Sequence, residues 1–557
     1  MLSDPPASPP ARCGDAQGHL TMLELPAPPQ TAEPELKHAD ACLRLLIKCE
    51  DLAGAREPTE PGAGLSAALE KLAANWEQVL KAQRWCALHA GERDDAAYLA
   101  MYFACAAPDL LYLRLEATVW LEWLKAGRPF AEREGFPKAR LRILGNFGHA
   151  YLAAGQPAEA RLYFEQQLAT ARTFQKSRAE GTALCSLGDL DIREGSYEAA
   201  EERFHQAFRV ALELGDRQLE ADVLGNMGNL HDEAGRPEAA SAAYLQALEL
   251  ARRIGDHEGE MRHLGNLGVL SKYAGDLDHA AELYRQQLVL ARDLLDVRSQ
   301  AMALHNLGLI LAQQGRLDEA EESFLEALVI RRRTEGRLGR AITVGCLGTV
   351  YRQRQESSRA LKAFQYWRRV AHEMGSPNHE GQALSNLGNV WVDLGELSLA
   401  REALERAGDL QRTLGHPRDL GIALVNLGAV EHRLGRNHRV LDLNREALVL
   451  LQRSGYRRAE VIAQRNLAKV SYEEGNVQEA FHWAWQAVES YRKIQSSAGD
   501  CFDLLAAMAT WVQEIGDAEL QQEFEVRLEA VLRELDDPWA RMTLEEVGRG
   551  EPGHADG

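Results

Sequence analysis

The sequence predicts an all-α protein, a solenoid of antiparallel helical hairpins, on three observations. Glycine recurs at 148, 188, 228, 268, 308, 348, 388 and 428, and a second glycine at 155, 195, 235, 275, 315, 395, 435 and 475. Alanine fills 160, 200, 240, 280, 320, 360, 400 and 480, and an aromatic follows at Phe164, Phe204, Tyr244, Tyr284, Phe324 and Phe364. Between these markers the apolar residues step by three and four, the period of an amphipathic helix. The interval is 40 residues and holds through nine units over 140–499. Self-similarity at such a period marks stacked repeats, each too small to bury its own apolar face.

The stretch LHNLGLILAQQGRLDEAEESF, residues 304–324, shows how one unit is built. Leu304, Leu307, Ile310 and Leu311 form the apolar stripe of a first helix. Gly315 stops it, because glycine accepts the left-handed conformation that ends helices. A second helix is predicted over 317–333. Gln355 is the exception in the glycine series, Ala468 in the other. The pairs Gly215-Asp216 and Gly255-Asp256 predict a glycine ending one helix and an aspartate capping the next. Gly308 and Ala320 predict a close helix crossing, where overpacking costs roughly 1–3 kcal/mol. The aromatic at 324 is expected to fill a hole between neighbouring units.

On these residues the array resembles the tetratricopeptide repeat. Leu304, Leu307-Gly308, Ala320, Phe324 and Ala327 fit that family's short motif; Leu311 stands in for its tyrosine, which Tyr151 and Tyr351 keep. The usual repeat has about 34 residues. The longer version, with its LGN signature, is similar to the repeats of kinesin light chains, of G-protein-linked polarity scaffolds and of the sensor region of bacterial signal-transducing (STAND-type) NTPases. The resemblance implies a right-handed superhelix whose first helices line a concave groove.

The flanks differ in kind. Residues 1–34 are rich in Pro and Ala and are expected to be a disordered tail. Residues 35–139 read as an N-terminal helical cap or connector, with a helix over 36–50 and a linker at 51–64. Residues 500–540 read as capping helices and 541–557 as a second disordered tail.

Composition narrows the function. Net charge is −20 over 557 residues, which disfavours nucleic acid, since phosphate binding needs a cationic surface, and disfavours acidic membranes. No apolar run is long enough to span a bilayer, and the first residues lack the pattern of a signal peptide. Eight scattered cysteines without a CxxC pair fit a reducing compartment, so a cytoplasmic location is expected. No P-loop, HExxH or GxSxG motif occurs, and the histidines and cysteines do not cluster at zinc spacing. The chain is therefore expected to be no enzyme and to need no cofactor or metal. Acidic pairs such as Glu321-Glu322 read as solvated helix faces, and the basic run at 331–334 as a charged outer face.

The groove carries the functional reading. Asparagine recurs on the first helices at 146, 226, 266, 306, 386, 426 and 466, and a second one at 229 and 389. Asparagine is a poor helix-interior residue. One explanation is a ladder of amides gripping an extended peptide backbone; the other is an amide that satisfies a neighbouring helix. The peptide-binding candidates are Asn226, Asn229, Asn266, Asn306, Asn386, Asn389 and Asn426, with Arg433, Arg465 and Lys469 reading charge. Further basic groove candidates are Arg142, Arg193, Arg262, Lys272 and Arg352, with His149, His305 and His432; the acidic ones are Asp189, Asp222, Asp232, Glu233, Asp393 and Glu473. Base dominates after 430, which points to a partner with acidic character toward the C-terminal repeats. Tyr273, Tyr472, Val269, Leu309 and Val392 are expected to add apolar anchors. The expected function is a protein–protein interaction scaffold or adaptor binding an extended peptide or protein segment in the groove. The alternative is a detached sensor or regulatory subunit that controls an NTPase or effector enzyme in trans.

Overall fold

The computed structural model describes residues 33–53, 65–106, 116–133, 135–174, 178–294, 296–334, 337–454, 456–494 and 498–534. Among them are 24 helices and no strand. They fall into two compact units. The amino-terminal unit holds the described residues up to Leu270 together with Asp278–Leu307; the carboxy-terminal unit holds Ser271–Leu277 and the described residues from Gly308 onward.

The amino-terminal unit opens with four helices outside the glycine register: α1 (Pro34–Ala53), α2 (Leu65–His89), α3 (Asp94–Cys105) and α4 (Ala117–Ala131). Leu43, Leu46, Leu72, Phe103, Trp120 and Leu124 are buried in their common core. Pro34 begins α1, and Glu33 accepts a 2.6 Å bond from Arg93, so the end of the expected tail is ordered. Its remainder, 1–32, and the expected tail 541–557 lie outside the described residues, as does 54–64 of the expected linker.

Hairpins follow: α5 (Pro137–Ala153) with α6 (Pro157–Thr173), α7 (Arg178–Arg193) with α8 (Tyr197–Leu214), α9 (Arg217–Glu233) with α10 (Pro237–Ile254), then α11 (His257–Ala274), α12 (Leu277–Asp293) and α13 (Val297–Gln313). The carboxy-terminal unit continues with α14 (Leu317–Thr334), α15 (Arg337–Gln353) with α16 (Ser357–Glu373), and α17 (Pro377–Asp393) with α18 (Leu397–Leu414). The pairs α19 (Pro417–Arg433) with α20 (Asn437–Arg453), α21 (Arg457–Glu473) with α22 (Val477–Ile494), and α23 (Ala498–Ile515) with α24 (Ala518–Glu534) complete it.

The turn inside each hairpin is a left-handed cap. Gly155 takes φ +72° while its N–H reaches Leu152 O and the next N–H reaches Tyr151 O, at 3.0 and 2.9 Å. This closure satisfies carbonyls that the helix end would leave bare. Gln355 makes the same two bonds at φ +62°, the one non-glycine residue with positive φ among the described residues. Between hairpins the predicted relay is present. Gly215 ends α8 at φ +66°, and Asp216 accepts the N–H of Leu219 at 3.0 Å to cap α9. Arg178 then donates to Asp216 at 2.9 Å, and Gln218 to the next cap, Asp256, at 2.6 Å. Each such bond joins a first helix to the start of the next one, 38 residues on.

The recurrent glycine has a different partner from the one expected. A Cβ added to Gly228 would stand 2.4 Å from Tyr244 Cε1, and one on Gly308 would stand 2.8 Å from Phe324 Cε1. The aromatic thus lies against the glycine of its own hairpin, sealing it before it meets the neighbouring unit. Leu404 and Asn444 occupy the same seat on Gly388 and Gly428.

A second seat lies three residues earlier. Gly145 faces Gln167, Gly265 faces Gln287 and Gly345 faces Trp367, each within 2.9 Å of an added Cβ. Where the first helix is larger there, the second is small: Cys185 with Ala207, Val425 with Ala447. Size is exchanged across the contact, as close packing requires. Gly225 and Ala247 are both small, and there the imidazole of His263 fills the gap.

Two expectations about surface charge change. Arg331 is buried and donates to Gly339 O at 3.2 Å, so it is not on an outer face. Glu321 accepts from Tyr351 and Arg359, both at 3.0 Å, and pairs with Arg354, which makes it a tie between hairpins rather than a solvated carboxylate.

Candidate functional site

The first helices repeat their polar residues in register, and several of these side chains bond groups of the protein itself. In the amino-terminal unit Asn146 donates to Ala104 O at 3.0 Å, joining α5 to α3. Asn229 accepts the hydroxyl of Tyr244 at 2.7 Å and the amide of Asn266 at 3.4 Å. Asn226 and Asn306 are buried; Asn229 and Asn266 are half-buried. In the carboxy-terminal unit Asn386 is buried and donates back to Gln382 O at 3.0 Å. Asn389 and Asn426 are half-buried. Asn466 donates to Asn444, the amide that replaces the aromatic of its hairpin, at 3.2 Å.

The groove charges also pair. Asp222 is bonded by Arg262 at 2.9 Å, 40 residues on, and Arg178 lies 3.9 Å away. Burial nonetheless lifts Asp222 to about 6 against the pull of both guanidiniums. Burial also lifts Asp189 to about 7, opposed by Arg193, and Asp232 to about 6, with Glu233 adding to the effect. Asp189 on α7 is thus half protonated near neutral pH, while Asp222 and Asp232 on α9 take up a proton about one pH unit lower.

In the carboxy-terminal unit a rung recurs at the C-terminal ends of the first helices. Arg352 bonds Asp393, Arg433 donates to Val392 O at 2.7 Å, and His432 bonds Glu473 at 2.9 Å; each partner is 41 residues away. Tyr472 continues the series by donating to Glu514 while stacking on Trp511 with ring centroids 4.5 Å apart. The candidates Asp393 and Glu473 are thus held by Arg352 and His432. Arg433 is exposed with its bond on a carbonyl, which leaves its charge uncompensated; Lys469 is exposed and Arg465 half-buried. Glu514 is not singled out by the sequence, and Asn444 stands out there only as a replacement for the repeat aromatic. Glu514 lies 42 residues beyond Tyr472 and Asn444 lies 22 before Asn466, offsets that the 40-residue period does not point to.

Among the described residues no group of His, Cys, Asp or Glu is placed to hold a metal ion, and no helix is long and apolar enough to cross a membrane. The seven described cysteines are buried free thiols. Paired antiparallel helices, glycine-closed turns and first-helix faces that bond across one repeat define a helical-repeat protein. Five segments, 143–177, 179–253, 264–298, 299–365 and 381–406, match models of the tetratricopeptide repeat, and the chain carries that repeat. No curated protein matches it.

Among solved structures it is similar to the signal transduction ATPase with numerous domains and a tetratricopeptide repeat sensor, PH0952, from Pyrococcus horikoshii, with 12% identity and a TM-score of 0.48 over 78% of this chain and 66% of that one. It is similar to the apo quorum sensor NprR from B. thuringiensis, with 15% identity and a TM-score of 0.46 over 62% of this chain and 97% of that one. It is also similar to the nearly identical TPR-like repeats of a candidate kinesin light chain from Podosopora anserina, with 17% identity and a TM-score of 0.29 over 35% of this chain and 97% of that one.

Proposed function

We propose that the chain is a non-enzymatic interaction module, a scaffold or adaptor whose first-helix face takes an extended segment of a protein partner. The tetratricopeptide repeats support the coarse reading, a module for protein interaction. In this reading residues 140–499 are the recognition array, and 35–139 and 500–540 cap it. The free buried thiols fit a cytoplasmic setting.

The partner segment is acidic where it meets the carboxy-terminal unit. The observation that carries this is an asymmetry on that face. Asp393 and Glu473 are already engaged by Arg352 and His432, whereas Arg433 and Lys469 are exposed with no carboxylate on the rung to answer them. Charge of one sign left over in a groove selects the opposite sign and sets the encounter rate. In this reading Asn389 and Asn426, both half-buried, accept from and donate to the backbone of the bound segment.

The test is a titration of the full chain with a fluorescent Glu-rich peptide of a dozen residues and its Lys-rich counterpart. The acidic peptide binds more tightly, its affinity falls with salt, and the double substitution Arg433→Glu, Lys469→Glu weakens it at least about tenfold, or roughly 1.4 kcal/mol, without moving the melting temperature. Equal binding of the two peptides would overturn the acidic reading.

A further inference from the structure

Neighbouring repeats of the amino-terminal unit serve as controls for one another. On α9 the side chain of Asn229 is answered twice, by the hydroxyl of Tyr244 and by the amide of Asn266, 37 residues on. One repeat earlier the same three positions hold Asp189, Phe204 and Asn226. Phe204 has no hydroxyl to give. Among the described residues neither Asp189 nor Asn226 has a hydrogen bond or an ion pair through its side chain. Yet Asn226 is only 4% exposed. Asp222, Asn226, Asn229 and Glu233 step by four, three and four along α9 and so share one stripe. The amide of Asn226 keeps contact with solvent, so it opens outward along that stripe. A buried amide without a partner is unfavourable until something supplies one.

Unanswered carboxylates surround this amide. Asp189 on α7 and Asp232 and Glu233 on α9 form no ion pair among the described residues. In the carboxy-terminal unit the position of Glu233 is answered: Asp393 and Glu473 each meet a cation 41 residues earlier, Arg352 and His432. The residue 41 before Glu233 is Ile192, which carries no charge. Arg193 is exposed and lies four residues past Asp189. It offsets one of the three negative charges and leaves two. Burial raises Asp189 even against the pull of Arg193, and it raises Asp232 with Glu233 adding to the effect. A cation brought from outside favours the charged form of each.

The chemistry of the occupant follows. Surplus negative charge calls for ammonium or guanidinium groups. The unbonded amide has donors and an acceptor and calls for a group with both, as a peptide backbone has. A polyamine answers the carboxylates but gives the amide no acceptor. An extended segment bearing lysine or arginine answers both.

We propose that Asp189, Asn226 and Glu233, with Asp232 beside them, bind a lysine- or arginine-bearing extended segment of a protein partner, its cations on the carboxylates and its backbone on Asn226. The site lies wholly within the amino-terminal unit. It rests on the reading of the first-helix face as the binding surface and adds that the partner is basic where it meets this unit.

The probe is a fluorescent peptide of about eight residues alternating lysine and alanine, titrated into the full chain. The chain binds it, and Asp189→Asn, Asp232→Asn and Glu233→Gln made together weaken it at least about tenfold without lowering the melting temperature. Glu165→Gln, Glu213→Gln and Glu238→Gln remove the same charge from exposed positions of the second helices. They leave the affinity within about twofold, which separates the site from the general attraction of a chain at −20. Carbodiimide coupling of the peptide to the unsubstituted chain gives a readout that needs no variant. Mass mapping finds its lysines joined to Asp189, Asp232 or Glu233 ahead of other carboxylates. Equal weakening by the two triple substitutions overturns the proposal, as do couplings spread over the second helices. Displacement by spermidine at the peptide's own concentration makes this a polyamine site and overturns the segment form. Couplings at the three carboxylates while a Glu-rich peptide fails to bind support this site and count against the acidic reading of the carboxy-terminal unit alone.

Discussion

The α-carbon of Gly225 faces the imidazole of His263 so closely that a methyl group on the glycine would come within 2.6 Å of Cε1. His263 is fully buried and stands where the other first helices carry Ala183, Val223, Ala303, Thr343, Ala383, Ala423 and Ala463. It plugs a hole left by Gly225 and Ala247. Each residue is therefore wrong without the other. Gly225→Ala alone overpacks the seat and costs about 1–3 kcal/mol; His263→Ala alone opens a cavity and costs about 2–4 kcal/mol. Made together, they restore the arrangement of the hairpins with alanine at 263, and the double variant loses at least about 1 kcal/mol less than the sum. Urea unfolding of the four chains measures the coupling. Strict additivity would show that the imidazole does not occupy the glycine's space.

The same burial gives the fold a pH dependence whose sign differs between two residues. Burial pushes His263 down to about 3, with Arg262 acting in the same direction. The folded chain keeps the ring neutral, and the unfolded chain protonates it near 6.5. This residue's contribution is complete above that value and is lost as pH falls from 6.5 toward 3, at up to about 1.4 kcal/mol per pH unit. Asp189 behaves oppositely. Its carboxyl is raised to about 7 in the fold, so ionisation opposes folding progressively between about 4 and 7 and at a constant level above. Midpoints at pH 5, 6 and 7.5 separate the two. His263→Gln flattens the acid side of the profile, and Asp189→Asn adds most stability at pH 7.5 and least at pH 5. An acid limb unchanged by His263→Gln would place the proton elsewhere.

Much of the fold was written in period and residue size. The 40-residue spacing, the turn glycines and the Gly-Asp relay each follow from one local demand, a left-handed cap or a side-chain acceptor, and each appears where the spacing put it. The seat of the aromatic was half legible: Phe164 shares a core with Ala183 and Leu187 of the next hairpin, but sequence shows that a glycine needs room without showing that this ring enters it. The site was less legible. Asn266 and Asn466 share one register and Asn229 lies three residues off it, yet Asn266 donates to Asn229, which also accepts from a tyrosine, while Asn466 donates to the amide at 444. Periodicity places a residue on a face; the rotation between hairpins decides whether its partner is 37, 40 or 41 residues away. That offset separates Arg352 from Asp393 and made the pair look like two independent groove charges.

Gln355 offers a clean test of turn strain. Its backbone makes the same cap bonds as the glycines of the series, Gln355 N–H to Arg352 O at 2.9 Å and Glu356 N–H to Tyr351 O at 2.8 Å, at φ +62°. A side chain in that conformation costs roughly 1–2 kcal/mol. Glycine removes this strain but gains freedom in the unfolded chain, at about 0.5–1 kcal/mol. The balance favours Gln355→Gly by about 0.5–1 kcal/mol. Valine, branched at Cβ, tolerates the left-handed region least, so Gln355→Val falls below the parent. The three chains are compared by urea midpoint and by hydrogen exchange of the amides at 355 and 356. The ordering glycine, glutamine, valine is expected in both. If glycine and valine gave the same midpoint, backbone strain would not limit this turn, and the bonds to Arg352 and Tyr351 alone would hold it closed.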